Sequence, residues 1–150
     1  MSVGPLLSHP DPRVARLIGY FSHLTPADLA LIGNVYSDDA SFKDPFNEVH
    51  GPPAIARIFE HMFESLHQPR FVIVEAMVDG DAVFLAWDFV FRMKRFGGAE
   101  QRIRGASHLK LATDGRIAMH RDYWDAAEEL YEKLPVLGGL MRWLKRRVNA

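Results

Sequence analysis

Three short turns, Asp79-Gly80-Asp81, Phe96-Gly97-Gly98 and Thr113-Asp114-Gly115, punctuate the second half of this chain and restrict what it can fold into. Each lies between β-rich runs, at 71–78, 82–93, 101–111 and 116–124, and turns of this composition join strands that are neighbours in sequence into antiparallel hairpins. The expected result is a strongly twisted antiparallel sheet with local connections. Ahead of it the period is helical: Val14, Leu17, Ile18 and Phe21 predict a helix over 12–23, and Thr25-Pro26-Ala27-Asp28 is a helix start. A short strand from Tyr36 and a second at 47–50 follow. Gly51-Pro52-Pro53 then opens a helix with Ile55, Ile58, Phe59, Met62, Phe63 and Leu66 on one face. Helices ahead of a meander make the class α+β.

A period of two assigns faces within the strands. In 82–93, Trp87, Phe89 and Phe91 share one face and Ala86, Asp88, Val90 and Arg92 the other. In 101–111, Ile103, Gly105, Ser107, Leu109 and Leu111 form the apolar side, which puts the Ser107 hydroxyl in the core. In the last strand Ala118, His120, Asp122 and Trp124 lie together. Neither face of that strand is cleanly apolar.

Composition narrows the function classes. The chain has 150 residues, enough for one domain, with 18 basic and 19 acidic side chains, so no overall charge footprint points to nucleic acid. It has no cysteine, which removes disulfides, thiolate metal sites and a thiol nucleophile. Residues 1–12 lack a cationic head and long apolar core, and no apolar run reaches the length of a membrane-spanning helix. A cytoplasmic protein is the expectation.

The stretch Tyr36-Ser37-Asp38-Asp39-Ala40-Ser41-Phe42-Lys43-Asp44-Pro45-Phe46 is a strand ending in an Asp-Pro corner. Proline disfavours helical backbone at the residue before it, so Asp44 is held extended where the strand stops. A carboxylate facing an apolar cavity there, with Tyr36, Phe42 and Phe46 around it, has the environment a general base requires. Asp-Pro is also an ordinary turn signal.

This order of elements, with Tyr20 standing 24 residues before Asp44 and Tyr123-Trp124 closing the last hairpin, resembles the nuclear transport factor two-like superfamily over about 14–124. The branch it is most similar to is that of ketosteroid isomerase and SnoaL-like proteins. The resemblance implies a cone-shaped, cystatin-like fold: a curved antiparallel sheet wrapped around N-terminal helices, with an internal pocket. It implies Asp44 as a proton-shuttling base, Tyr20 as hydrogen-bond donor to an enolate oxygen, Tyr36 as its support and Trp124 as pocket lining. Two polar groups of the isomerase are replaced: its protonated aspartic acid donor falls on Ser107, and a helix tyrosine on Phe59. The last strand carries His120 and Asp122 where the isomerase is apolar. In some polyketide cyclases of this fold, which SnoaL typifies, an acid on this strand is the acid/base, a part the resemblance opens to Asp122.

The resemblance therefore implies a single SnoaL-like domain with a helical extension at 125–150. Its function would be proton abstraction next to a carbonyl, without metal or redox cofactor, with Asp44, Tyr20, Asp122 and His120 catalytic. Tyr36, Phe46, Phe59, Asp88, Ser107 and Trp124 would touch a ligand with an apolar body and a polar group. A non-catalytic binding or assembly module is the alternative, since a fold does not fix a function. Epoxide opening by water held between Asp88 and Asp122 is a third. Each residue also has a structural reading: Tyr20 as a helix-border residue, His120 and Asp122 as a hydrogen-bonded pair, Asp88 as a partner of Arg92, and His61 and His67 as surface residues of one helix. His120-Arg121-Asp122 lacks the glycine-rich loop and strand lysine of a kinase.

The tail is expected to be a helix over 126–134, a break at Pro135 and a cationic amphipathic stripe from Leu137 to Val148. Such a segment covers its own domain, caps a protein groove or lies peripherally on an anionic membrane. If Asp88 faces the cavity, Trp87, Phe89 and Phe91 point outward, and three exposed aromatics predict a homodimer built on them.

Overall fold

The computed structural model describes residues 6–94, 98–129, 143 and 146–148. Helix α1 (Pro12–Ser22) starts where Asp11 accepts the Arg13 backbone N–H and Pro12 occupies the first turn; Val14, Leu17, Ile18 and Phe21 form its buried face. A 3₁₀ segment (Pro26–Asn34) buries Leu29 and Ile32 and delivers the chain to β1 (Tyr36–Lys43). After β2 (Glu48–His50), α2 (Pro52–Ser65) buries Ile55, Ala56 and Phe59. The remaining strands are β3 (Leu66–Asp79), β4 (Ala82–Met93), β5 (Glu100–Leu111) and β6 (Ile117–Tyr123), followed by a single helical turn, α3 (Ala126–Glu129).

The strands form one curved, unclosed sheet in the order β2-β1-β6-β5-β4-β3. β3 to β6 are the expected meander, but β1 pairs parallel to β6, placing Phe42 opposite His120. That pairing joins distant parts of the chain and no local turn announces it. β3 begins at Leu66, so His67 belongs to a strand and not to the helix carrying His61. Register shifts between His67 and Arg70 and between Ile73 and Glu75 bend β3 over the helices. Arg13 fastens α1 to the β3–β4 turn through Asp81 and the Gly80 carbonyl, and Arg16 donates to the Gly115 carbonyl in the β5–β6 turn.

The faces of β4 are the reverse of those expected. Directly opposed residues of an antiparallel pair lie on the same side of the sheet, and Trp87 opposes Gly105, Phe89 opposes Ile103 and Leu85 opposes Ser107. Trp87, Phe89 and Phe91 therefore share the inner side with the apolar face of β5. The ground for a homodimer centred on these aromatics is gone. Asp88 lies on the outer side, where its carboxylate pairs at 2.5 Å with Arg102 rather than Arg92. It is no pocket residue, and the epoxide-opening pair of Asp88 and Asp122 falls with it, because the sheet separates them.

The expected Phe96-Gly97 turn, the helix beyond Glu129 and most of the stripe from Leu137 to Val148, on which the expected membrane contact rests, lie outside the described residues. Where the tail is described, Glu129 is buried against β5, accepting from Arg104 at 3.1 Å. Among the described residues no helix is long and apolar enough to cross a membrane.

Candidate functional site

Between α2 and the concave side of the sheet lies a cavity of about 610 Å³, within the range that holds a drug-sized ligand. Phe42, Phe59, Phe71, Trp87, Phe89 and Trp124 supply much of its wall, and its polar groups are Asp44, Asn47, Arg57, His61, Ser65 and Asp122. A chamber of about 20 Å³ against Ser107, His120 and Asp122 lies behind Phe59, Phe71 and Trp87, which border both spaces. The strand period puts His120 and Asp122 on one face, and β5–β6 pairing sets Ser107 opposite Asp122 and Leu109 opposite His120.

These side chains form one continuous hydrogen-bonded chain. Trp87 Nε1–H donates to Ser107 Oγ at 2.9 Å, Ser107 donates to Asp122 Oδ1 at 2.5 Å, His120 Nε2 meets the same oxygen at 2.6 Å, and the Tyr36 hydroxyl meets His120 Nδ1 at 2.7 Å. The geometry orders the protons. The single Ser107 proton goes to Asp122 because its oxygen already accepts from Trp87. With His120 Nε2–H donating to the Asp122 oxygen, the ring's other nitrogen, Nδ1, is the acceptor for the Tyr36 hydroxyl. Burial, then the charges of Asp122 and Tyr20, raise the Tyr36 hydroxyl well above the ordinary tyrosine value and keep it a donor. Both bonds to Asp122 end on Oδ1. No hydrogen bond among the described residues reaches Oδ2. Asp122 is 15 % exposed, His120 4 %.

Replacing Tyr36 by Phe leaves the buried His120 Nδ1 without its donor. The expected cost is about 1–3 kcal/mol, read as a lowered urea midpoint at unchanged slope. An unaltered midpoint would mean that Tyr36 does not hold His120.

The other expected site residues divide: Asp44, Phe46, Phe59 and Trp124 line the cavity with Asp122, whereas Tyr20 and Asp88 do not. Asp44 lines the cavity near its mouth, but Oδ1 accepts from the backbone N–H groups of Phe46 and Asn47 and from Asn47 Nδ2, so the carboxylate closes the Asp-Pro turn. Tyr20 does not reach either space, and the two residues are not brought together there. Its hydroxyl is buried with no hydrogen-bond partner among the described residues, and burial followed by the Asp28 charge pushes it up to about 12. Tyr36 supports His120 instead of Tyr20. Ser107 has spent its proton on Asp122. Phe46 is exposed and meets the edge of Trp124 with ring centroids 5.6 Å apart. Phe59 packs edge-on to Phe42 at 6.1 Å. Sequence reasoning passed over Arg57 and took His61 for a surface residue; His61 is exposed as expected, and it also borders the cavity. Their signal was positional, since they flank Ala54, Ile58 and Met62, and all five line the cavity. Among the described residues no three His, Asp or Glu side chains are grouped to hold a metal ion.

Comparison with known proteins agrees with this architecture. A ketosteroid isomerase-like fold protein from Catenulispora acidiphila, solved with trimethylamine, is 18% identical with a TM-score of 0.69, covering 82% of this chain and 92% of its own. A protein described as a SnoaL-like polyketide cyclase from Shewanella putrefaciens is 21% identical with a TM-score of 0.64, covering 79% and 84%. TerC, co-crystallised with polyporic acid, is 15% identical with a TM-score of 0.66, covering 79% and 95%. These similarities show the fold. No curated protein matches. The family model described as SnoaL-like domain matches residues 17–120, and by that match over most of its length the chain belongs to the SnoaL-like domain family.

Proposed function

We propose that this protein is a small-molecule enzyme of isomerase or cyclase type, in which Asp122 moves a proton to and from carbon next to a carbonyl. The observation that carries the reading is the Asp122 carboxylate: Oδ1 is held by Ser107 and His120, while Oδ2 has no hydrogen bond among the described residues, on the wall of an aromatic-lined cavity. Oδ2 takes the proton, and the carbon–hydrogen electron pair moves into the carbonyl to give an enolate. Asp122, now protonated, returns the proton to another carbon in an isomerisation. In a cyclisation the enolate carbon attacks a second carbonyl of the same molecule, and the proton goes to the new alkoxide. His120 and Ser107 fix the carboxylate plane throughout, so little reorganisation accompanies the transfer. Asp44 closes the turn at the cavity mouth and is not the base.

The test is deuterium exchange. Incubated in heavy water with a panel of cyclic ketones and β-diketones, the protein is expected to speed loss of the α-proton signal in proton NMR. No exchange across the panel, together with an apolar molecule copurifying unchanged by native mass spectrometry, would replace this reading with a binding module.

A further inference from the structure

The polar groups of the cavity differ in what they have left to offer. Asp44 and Asn47 satisfy one another, since the Asn47 amide donates to both Asp44 oxygens. Asp122 is tied to β5 and β6. Arg57 is different. From residue 6 to 129, every other described arginine has a partner: Arg13 and Arg70 meet carboxylates, as do Arg102, Arg104 and Arg116, Arg16 and Arg92 meet backbone carbonyls, and Arg121 lies over Tyr123. Among the described residues Arg57 has no hydrogen bond, ion pair or ring contact, although it lines the cavity. A guanidinium carries five donors in a planar fork and no acceptor, a shape that matches a carboxylate. His61 follows one turn later on the same helix face and also lines the cavity.

We propose that Arg57, assisted by His61, is the anion-recognising end of the cavity, and that the ligand is a flat, ring-based carboxylate. The inference rests on the function proposed above for which end of the ligand reacts. The aromatic walls formed by Phe42, Phe59, Phe71, Trp87, Phe89 and Trp124 select a planar apolar body. Charge then orients it. Asp122 and Asp44 both repel an anion, so the carboxylate goes to Arg57 and the ring carrying the acidic carbon–hydrogen bond points to Asp122. Arg57 is exposed, so water screens its charge and the expected preference is moderate.

Anthracene-9-carboxylate and anthracene-9-carboxamide, equal in shape and different in charge, test this by titration against the fluorescence of Trp87 and Trp124, both in the cavity wall. The wild-type protein is expected to bind the carboxylate about tenfold more tightly, a difference of about 1.4 kcal/mol. Added salt should narrow the gap. R57Q should abolish the preference by weakening the carboxylate far more than the carboxamide, with R57K restoring part of it; both replacements are at an exposed helix position, and circular dichroism checks the fold. Equal affinities in the wild type, a preference that survives in R57Q, or no carboxylate binding at millimolar concentration overturns the proposal. Wild type that keeps the Arg57-dependent preference without deuterium exchange would remove the catalytic reading and leave this one standing. Exchange that persists while R57Q keeps the preference would do the reverse.

Discussion

Replacing Asp122 by Asn is expected to slow α-proton exchange by about 10³-fold, the usual scale for loss of a positioned acid–base group, while the folded state survives. The two halves of this expectation have separate origins. Asparagine has nearly the shape of aspartate, and its carbonyl oxygen can still accept from Ser107 and from His120 Nε2–H where Asp122 Oδ1 accepts now. The Tyr36–His120–Ser107–Trp87 chain therefore keeps its partners, and circular dichroism and the urea midpoint should change little. What disappears is the second oxygen. The amide nitrogen that takes the place of Oδ2 is a donor and not a base, and it presents hydrogens to the carbon that must lose one. Asp44→Asn is the internal comparison, because Asp44 is engaged by three N–H groups of its own turn and its replacement should leave exchange within a few-fold of wild type. Full exchange in the Asp122 variant would remove Asp122 as the base, and a loss in the Asp44 variant alone would move the chemistry to the cavity mouth.

The fold was legible because its signals are local. Asp79-Gly80-Asp81 and Thr113-Asp114-Gly115 each close a hairpin, and 82–93 is the strand β4 as expected. The same locality let a period of two place His120 beside Asp122. Their partners were harder to find. Tyr36 reaches His120 through parallel pairing of β1 with β6, a contact across 84 positions that leaves no mark on either segment. The inverted faces of β4 have a different cause. Reading Asp88 as a pocket carboxylate rather than a partner of Arg92 sends the aromatics outward, although Gly105 on the next strand gives a contrary sign. A glycine on an otherwise apolar strand face marks a place where something large lies close, and the large neighbour is Trp87. Arg57 went unnoticed because a charged helix residue is ordinarily solvated, and its helical position alone does not show that this face of α2 borders a cavity.

Replacing Gly105 by Ala is expected to destabilise the protein by about 3 kcal/mol, combining overpacking with the loss of one buried hydrogen bond. An added Cβ at Gly105 would lie 2.4 Å from Trp87 Cη2 and 2.8 Å from Cζ2 and Cζ3, well inside contact distance. The indole has no easy retreat. Phe71 meets it edge-on at 5.5 Å, and Nε1–H is fixed to Ser107 at 2.9 Å. The ring must therefore tilt into the cavity and break the bond to Ser107, or β4 and β5 must separate along a ladder that pairs from Ala82↔Lys110 to Arg92↔Glu100. The first route costs less, and it carries a functional consequence. With its acceptor lone pair freed, Ser107 turns more easily, Asp122 loses one of the two donors that fix its plane, and exchange falls together with stability. Gly19→Ala is the control, since a Cβ there meets nothing within 4 Å and lies inside α1, where alanine should stabilise by about 0.5–1 kcal/mol. Urea unfolding followed by tryptophan fluorescence reads both. A Gly105→Ala protein with an unshifted midpoint and an unchanged emission spectrum would mean that Trp87 has a second place to lie, and that its bond to Ser107 does not hold the site.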